Sequence, residues 1–175
     1  MNKLLNIFFW TIAVLTLCLV VLKLFTGTLS EDRETEAALK TLEVNVRYNS
    51  ISAAKRKVFG NIVPFGIVWR TGSGAVTEIS FSEDCTFGGK KIKAGKYSLW
   101  SIPTEKEWTI LLNKETGQYG TNYDAEKDYI RVEVIPKILL EKQDDLRINL
   151  VRQAEEKISL FIRWDTIEAE VLIQE

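Results

Sequence analysis

From residue 43 onward, apolar and polar side chains alternate along the chain. The clearest runs lie at 42–48, 108–112, 130–134, 146–150, 158–164 and 167–173. Successive side chains of a strand point to opposite faces, so this pattern predicts half-buried strands with one face on a core and the other in water. A helix would place the intervening charges inside its own apolar stripe. The alternation therefore predicts an all-β domain over residues 43–175.

Turn residues separate these runs and indicate antiparallel pairing. Phe87-Gly88-Gly89-Lys90 predicts a two-residue hairpin, because paired glycines accept the positive φ values of a type I′ turn. Further turns are predicted at Asp144-Asp145, Ala154-Glu155-Glu156 and Asp165-Thr166. No helical segment long enough for a parallel crossover separates the runs. We therefore expect an antiparallel β-sandwich, jelly-roll-like or a flattened barrel.

The amino-terminal segment has a different character. Leu4 to Phe25 is apolar all round, with Asn6 and Lys23 as its strongly polar members. As a helix it would be about 33 Å long, enough to cross a hydrocarbon core of about 30 Å. We expect residues 1–25 to be a membrane anchor that contacts lipid through residues 4–25, with a cleaved signal peptide as the alternative. Residues 26–42 are expected to be a charged connector, either a short helix or a solvated stalk.

Membrane orientation follows from the distribution of basic residues. Lys3 precedes the apolar segment, and acidic residues outnumber basic ones just after it. This slight bias favours a single-pass protein in the cell membrane, with the carboxyl-terminal domain outside the cytoplasm.

Composition excludes several functional classes. The chain has 23 Lys and Arg against 24 Asp and Glu, which does not indicate a nucleic-acid partner. It contains no histidine, which removes histidine-based triads and metal sites. We therefore expect no metal and no cofactor. Cys85 is expected to be buried and unreactive, and no intrachain disulfide is expected because Cys18 lies in the apolar segment.

Four residues are the candidates for a ligand-binding site, and no catalytic residue can be assigned. Arg70 lies within a glycine-rich stretch over residues 59–77 and is expected to anchor an anion or a carboxylate. Trp100 has the opposite phase to its apolar neighbours, and Tyr119 lies on a long loop, so both are expected to be stacking surfaces. Lys57, in the basic run 55–57, is expected at the rim.

Three stretches resemble the domain of unknown function 2911 family. They cover residues 57–72, 94–103 and 106–114, and the first contains the string Val-Pro-aromatic-Gly-x-Val-Trp-Arg-x-Gly over residues 63–72. The resemblance implies a β-rich, sandwich-like domain that bacteria export to the cell envelope. It implies no established activity.

The chain departs from the family pattern at two places. Family members usually read Tyr-Ser-Arg-Pro near the first strand, where this chain has Tyr48-Asn49-Ser50-Ile51. They usually read Ala-Asn-Glu after the Trp-Arg-x-Gly string, where this chain has Ser73-Gly74-Ala75. Polar side chains that would hold a ligand in relatives are therefore missing at both places.

These observations favour a ligand-binding or interaction module over an enzyme. Its partner is expected to be an envelope glycan, a small ligand or another envelope protein. Two alternatives stay open. One is a glycan-directed hydrolase that uses a pair of carboxylates, and the other is a structural module that pairs through a sheet edge.

Overall fold

The computed structural model describes residues 2–27, 30–119 and 121–175. One helix, α1, covers Asn2–Gly27, and a short 3-10 helix covers Ala125–Lys127. Ten strands make up most of the remaining chain. They are β1 Ser30–Ala38, β2 Glu43–Ile51, β3 Thr77–Phe81, β4 Cys85–Phe87, β5 Lys90–Ile92, β6 Gly95–Pro103, β7 Trp108–Asn113, β8 Asp128–Val134, β9 Lys137–Ala154 and β10 Lys157–Gln174.

The described strands form two open sheets. The six-stranded sheet has the order β1-β2-β3-β6-β7-β8, and the four-stranded sheet has the order β5-β4-β10-β9. Every neighbouring pair is antiparallel. The strand alternation therefore predicted the class correctly, and the two described sheets do not close into a barrel.

Both sheets contribute to one hydrophobic core. The six-stranded sheet contributes Val46 and Ile110 to this core, and the four-stranded sheet contributes Ile148 and Ile162. Trp108 and Trp164 are buried there, in phase with the apolar positions of their strands, and Phe59 packs against both rings at centroid distances of 4.9 and 6.3 Å. Large aromatic side chains thus fill the space between the sheets.

Residues 30–38 form an edge strand, where the sequence suggested a short helix or a stalk. β1 pairs with β2 over nine residues, from Ser30 opposite Ile51 to Ala38 opposite Glu43. Its Glu and Ala residues favour a helix by intrinsic propensity, but pairing with a neighbouring strand overrides that preference. Charged side chains along such an edge also discourage pairing with other chains.

β9 and β10 form a long hairpin whose register shifts at three places, one beside the turn and two farther along the strands. A two-residue turn at Glu155-Glu156 joins the strands, as predicted. The turns expected at Asp144-Asp145 and Asp165-Thr166 are wrong, since these residues lie inside β9 and β10. Both sites are bulges, and residues 139–142 of β9 lie opposite the single residue Thr166. A bulge kinks a strand without ending it, which explains why turn residues occur there.

The glycine hairpin at residues 88–89 connects the two sheets at one side. Phe87 pairs with Lys90, and the glycines have φ values of 55° and 78°, as predicted for this turn. Gly88 lies directly against Val132 of β8, and the Lys90 Nζ donates a 2.6 Å hydrogen bond to the Arg131 carbonyl. The free edge of β5 is therefore held against β8.

The side chains of α1 are exposed over residues 7–21, and all of them except Thr11 and Thr16 are apolar. Among the residues that the structure describes, we find no helix that combines the length and the apolarity of a membrane span. The span expected over residues 4–25 is therefore not supported.

Candidate functional site

The segment that precedes β3 continues the six-stranded sheet beside β6. Gly66 N–H donates to the Pro103 carbonyl at 2.8 Å, and Trp69 exchanges two 2.8 Å backbone hydrogen bonds with Ser101. The Trp69 ring stacks on Trp164 in the core at 5.8 Å. Because neighbouring residues of an extended segment point to opposite faces, Arg70 lies on the other side of the sheet, which we call the outer face.

The glycine-rich bend that follows Arg70 is pressed against the end of β2. Ser73 N–H donates to the Asn49 carbonyl at 3.1 Å. A Cβ at Gly72 would lie 3.1 Å from the Thr77 Oγ1 and 3.2 Å from the Asn49 carbonyl oxygen, so a larger side chain would not fit without movement. Gly74 has a φ of 65°, which glycine adopts without strain. The bend is therefore a packed corner, and its Ser73 amide already has a partner.

Trp100 is buried on the outer face, and the expectation that it is an exposed stacking surface is wrong. It is 1% exposed and forms a small second core with Val76 and Leu111. The Tyr123 ring covers it at 5.1 Å, and its indole N–H donates to the Ser98 Oγ at 2.9 Å. The opposite phase of Trp100 was correctly identified, but the loop after β7 folds back over it.

Two polar side chains beside this second core have buried atoms without a hydrogen-bond partner. Gln118 is 8% exposed, and neither its Oε1 nor its Nε2 has a partner. The Arg70 side chain is half-buried, and its Nε also has no hydrogen-bond partner. Among the described residues these three atoms are the only buried side-chain nitrogen or oxygen atoms without a partner.

Backbone hydrogen bonds hold Arg70 and Gln118 on the same patch. The Thr77 N–H donates to the Arg70 carbonyl at 3.3 Å, and the adjacent Val76 N–H donates to the Gln118 carbonyl at 3.0 Å. Sequence reasoning did not identify Gln118. A glutamine on a long loop carries no signal of burial, and only the fold of that loop over Trp100 encloses it.

Tyr119 extends this patch with an exposed ring. It forms a β-bridge with Ala75, and 74% of the residue is exposed. Its Cε2 would lie 3.7 Å from a Cβ at Gly74, so the ring stands beside the glycine bend. We use the name outer-face site for Arg70, Gly74, Gln118 and Tyr119.

Lys57 belongs to a different part of the molecule. It lies on the exposed turn 52–58, whose Val58 N–H donates to the Asp165 Oδ2 at 3.2 Å and whose Lys55 N–H donates to the Asp144 Oδ1 at 3.3 Å. These bonds tie the turn to the four-stranded sheet, across the core from the outer face. Of the four candidates, the structure therefore brings together Arg70, Trp100 and Tyr119, but not Lys57.

A hollow of about 470 Å³ is lined in part by Cys85, but its side chains include no activated nucleophile. Burial raises the pKa of the Cys85 thiol to about 12, which suppresses the nucleophilic thiolate. Two of its charged residues pair with each other, since the Lys93 Nζ lies 2.7 Å from the Asp84 Oδ2. Both cysteines are free.

The described residues contain no cluster of acidic or cysteine side chains suited to a metal ion. The carboxyl groups with a resolved pKa shift belong to Asp84, Asp144, Glu170 and Glu175, and hydrogen bonds lower the pKa in each case. None of these four carboxyl groups therefore has the raised pKa that suits a general acid.

A family model described as "Protein of unknown function (DUF2911)" matches residues 30–173. The chain belongs to this family. The match begins where β1 begins and includes every strand of both sheets. No curated protein matches the chain, and no solved structure matches it.

The two departures from the DUF2911 pattern are neighbours in the fold. Asn49, at the first, accepts the Ser73 N–H through its carbonyl, and its Nδ2 would lie 3.7 Å from a Cβ at Gly74, at the second. The changes therefore affect a single corner of the outer-face site, and they leave Arg70 in place.

Proposed function

We propose that this DUF2911 protein is a membrane-attached binding module of the cell envelope, and that its outer-face site takes a ligand with an oxyanion group such as a carboxylate. Arg70 would anchor the oxyanion, and Gln118 would offer an amide donor and acceptor beside it. The exposed ring of Tyr119 would pack on an apolar or sugar face of the same ligand.

The observation that carries this proposal is the group of three unpartnered polar atoms on Arg70 and Gln118. A buried polar group without a partner costs about 1–3 kcal/mol, and native proteins contain few of them. A charged guanidinium also forms its strongest hydrogen bonds with carboxylates and phosphates. A bound oxyanion would give a partner to the Arg70 Nε and to at least one Gln118 atom.

The test measures binding to the full chain in detergent by calorimetry. Glucuronate, glucose, acetate and inorganic phosphate separate the contribution of the carboxylate from those of the ring and of charge alone. We expect glucuronate to bind more tightly than glucose or acetate. Phosphate binding as tight as glucuronate would identify a general anion site without a role for the ring. Absence of binding by every charged probe would overturn the proposal.

Two variants separate binding from folding. Gln118→Leu removes both unpartnered amide atoms, so we expect it to leave the protein as stable or more stable while weakening binding. Arg70→Lys keeps the charge but loses the planar fork, and we expect about a tenfold loss of affinity. Arg47→Ala, an exposed arginine on β2, is the matched control and should bind normally. A clear loss of stability in Gln118→Leu would mean that the amide is satisfied, which contradicts the argument.

Membrane attachment rests on α1. The apolar residues from Ile7 to Val21 are exposed around the helix, and none of the strands covers them. A helix that is apolar on all sides is stable when an apolar surrounding covers it, and lipid supplies that surrounding. We expect the full chain to float with lipid vesicles after alkaline washing, and a carboxyl-terminal reporter to read outside the cytoplasm. A chain that stays in the aqueous fraction would contradict this part of the proposal.

A further inference from the structure

We infer that the end of the two-sheet domain nearest α1 is a lipid-contacting surface, which rests on a membrane at the turn 52–58 and at the bulged part of β9. This inference rests on the proposed attachment through α1. Only residues 28 and 29 separate the end of α1 from Ser30, so lipid bound to the helix lies close to the start of β1 whatever the direction of the helix.

Register identifies the parts of the domain at that end. Ser30 pairs with Ile51, so the turn 52–58 follows directly beside the start of β1. Along β9, the Leu150 N–H donates to the Thr35 Oγ1, and Asp145 lies 3.7 Å from Arg33. β9 therefore runs from the middle of β1 towards its start as residue numbers fall. Residues 138–142 come next along the same direction and reach the end from which α1 extends.

The same end carries apolar side chains that no described residue covers. Ile138 is 83% exposed, and Leu140 is fully exposed at 105% of its reference area. Leu140 lies on the stretch of β9 that the bulge lifts out of the regular ladder with β10, and Ile138, paired with Ile167, borders that stretch. Isolated exposed apolar side chains are common on soluble surfaces, but two beside one bulge form a tip that can enter a headgroup layer.

Basic residues surround this tip. Lys55, Arg56 and Lys57 take part in none of the ion pairs of the described chain. The Lys142 Nζ contacts the Arg56 carbonyl at 3.5 Å, which places the basic run next to the bulge. An apolar tip with free cations beside it is the combination that binds an anionic lipid surface.

The acidic residues of this end are largely engaged. The Asp144 Oδ2 accepts from the Ser52 Oγ at 2.6 Å, and the Asp165 Oδ1 lies 3.4 Å from the Lys142 Nζ. Glu31 pairs with Arg33 at 2.7 Å. Glu141 and Asp32 have no such pair among the described residues, so the attraction to anionic lipid should depend on the basic run and not on net charge.

The test places a fluorescent label at the tip of the full chain, reconstituted in vesicles of phosphatidylcholine with or without one third phosphatidylglycerol. Leu140→Cys carries the label in a Cys18→Ser background, because Cys85 is buried. Glu155→Cys, on the turn at the other end of the same hairpin, is the matched control. We expect quencher-bearing lipids to quench the label at 140 at least threefold more than the label at 155. The Lys55→Glu, Lys57→Glu double variant should reduce the quenching at 140, most strongly in anionic vesicles.

The possible failures are distinguishable. If the labelled chain does not float with vesicles, the proposed attachment through α1 is wrong, and this inference fails with it. If the chain floats but positions 140 and 155 are quenched equally, the attachment stands and the lipid-contacting surface is refuted. If two labels at 140 instead report on each other without lipid quenching, the bulge binds a second copy of the chain, which also refutes the inference.

Discussion

Replacing Gly88 by Ala should destabilise the domain much more than replacing its neighbour Gly89. A Cβ at Gly88 would lie 2.2 and 2.9 Å from the two methyl carbons of Val132 and 3.1 Å from its Cβ. A new rotamer moves the methyl groups but leaves the Val132 Cβ in place, so the clash cannot be fully relieved. At Gly89 an added Cβ meets nothing within 4 Å.

The two variants share one cost and differ in another. Both glycines have positive φ, so alanine at either position costs about 1–2 kcal/mol of backbone strain. Gly88→Ala adds an overpacking cost of about 1–3 kcal/mol, because β8 and the hairpin must separate. The expected difference in the free energy of unfolding between the variants is therefore about 1–3 kcal/mol.

Guanidinium unfolding of the full chain in detergent, followed by tryptophan fluorescence, measures this difference. The double variant Gly88→Ala, Val132→Ala supplies the control, since trimming Val132 removes the methyl carbons nearest the new Cβ. We expect the penalty of Gly88→Ala to be smaller in the Val132→Ala background. Equal losses for the two glycine variants, or an unchanged penalty in that background, would refute the packing of the hairpin on β8.

Three further predictions concern single side chains. Trp100→Ala should cost about 3–5 kcal/mol of stability because it empties the second core, whereas Tyr119→Ala should stay within about 0.5 kcal/mol by the same unfolding measurement. Cys85 should react with a thiol reagent at pH 8 only after unfolding, because its pKa is raised to about 12, and rapid reaction of the folded chain at this residue would contradict its burial. Hydrogen bonds from Ser52 and a backbone amide lower the pKa of Asp144. The ionised carboxyl group therefore contributes fully to the free energy of unfolding above the unfolded pKa of about 4, and this contribution is lost at lower pH. The free energies of unfolding of Asp144→Asn and the unaltered chain should converge in acid, and a difference that stays constant with pH would contradict the assignment.

The strands were predictable where one face meets the core and the other meets water. Ile148 lies between Arg147 and Asn149, and this alternation located its strand correctly. β1 escaped prediction because it is an edge strand with little burial, so its residues carry no apolar alternation. The sequence predicts turns at Asp144 and Asp165, where the structure has bulges, because the same residue types accept the backbone conformations of both.

The candidate site was only partly predictable for a related reason. Arg70 stood out because it lies in the distinctive string over residues 63–72, and Tyr119 because it lies on a long loop. The burial of Trp100 depends on contacts with Tyr123, a residue far along the chain. The alternation of side chains along a strand shows which face a residue lies on, but not which loop covers that face. The same long-range closure buries Gln118.

The second core gives the loop after β7 a stability of its own. The apolar contacts of that loop are with Val76, Trp100, Leu111 and their partly buried neighbours, a cluster separate from the large core between the sheets. Such a flap can detach briefly while both sheets stay intact. The Val76 amide, which is hydrogen-bonded to the Gln118 carbonyl, should then undergo hydrogen–deuterium exchange faster than the Ile110 amide. A ligand bound at the outer-face site should slow this exchange.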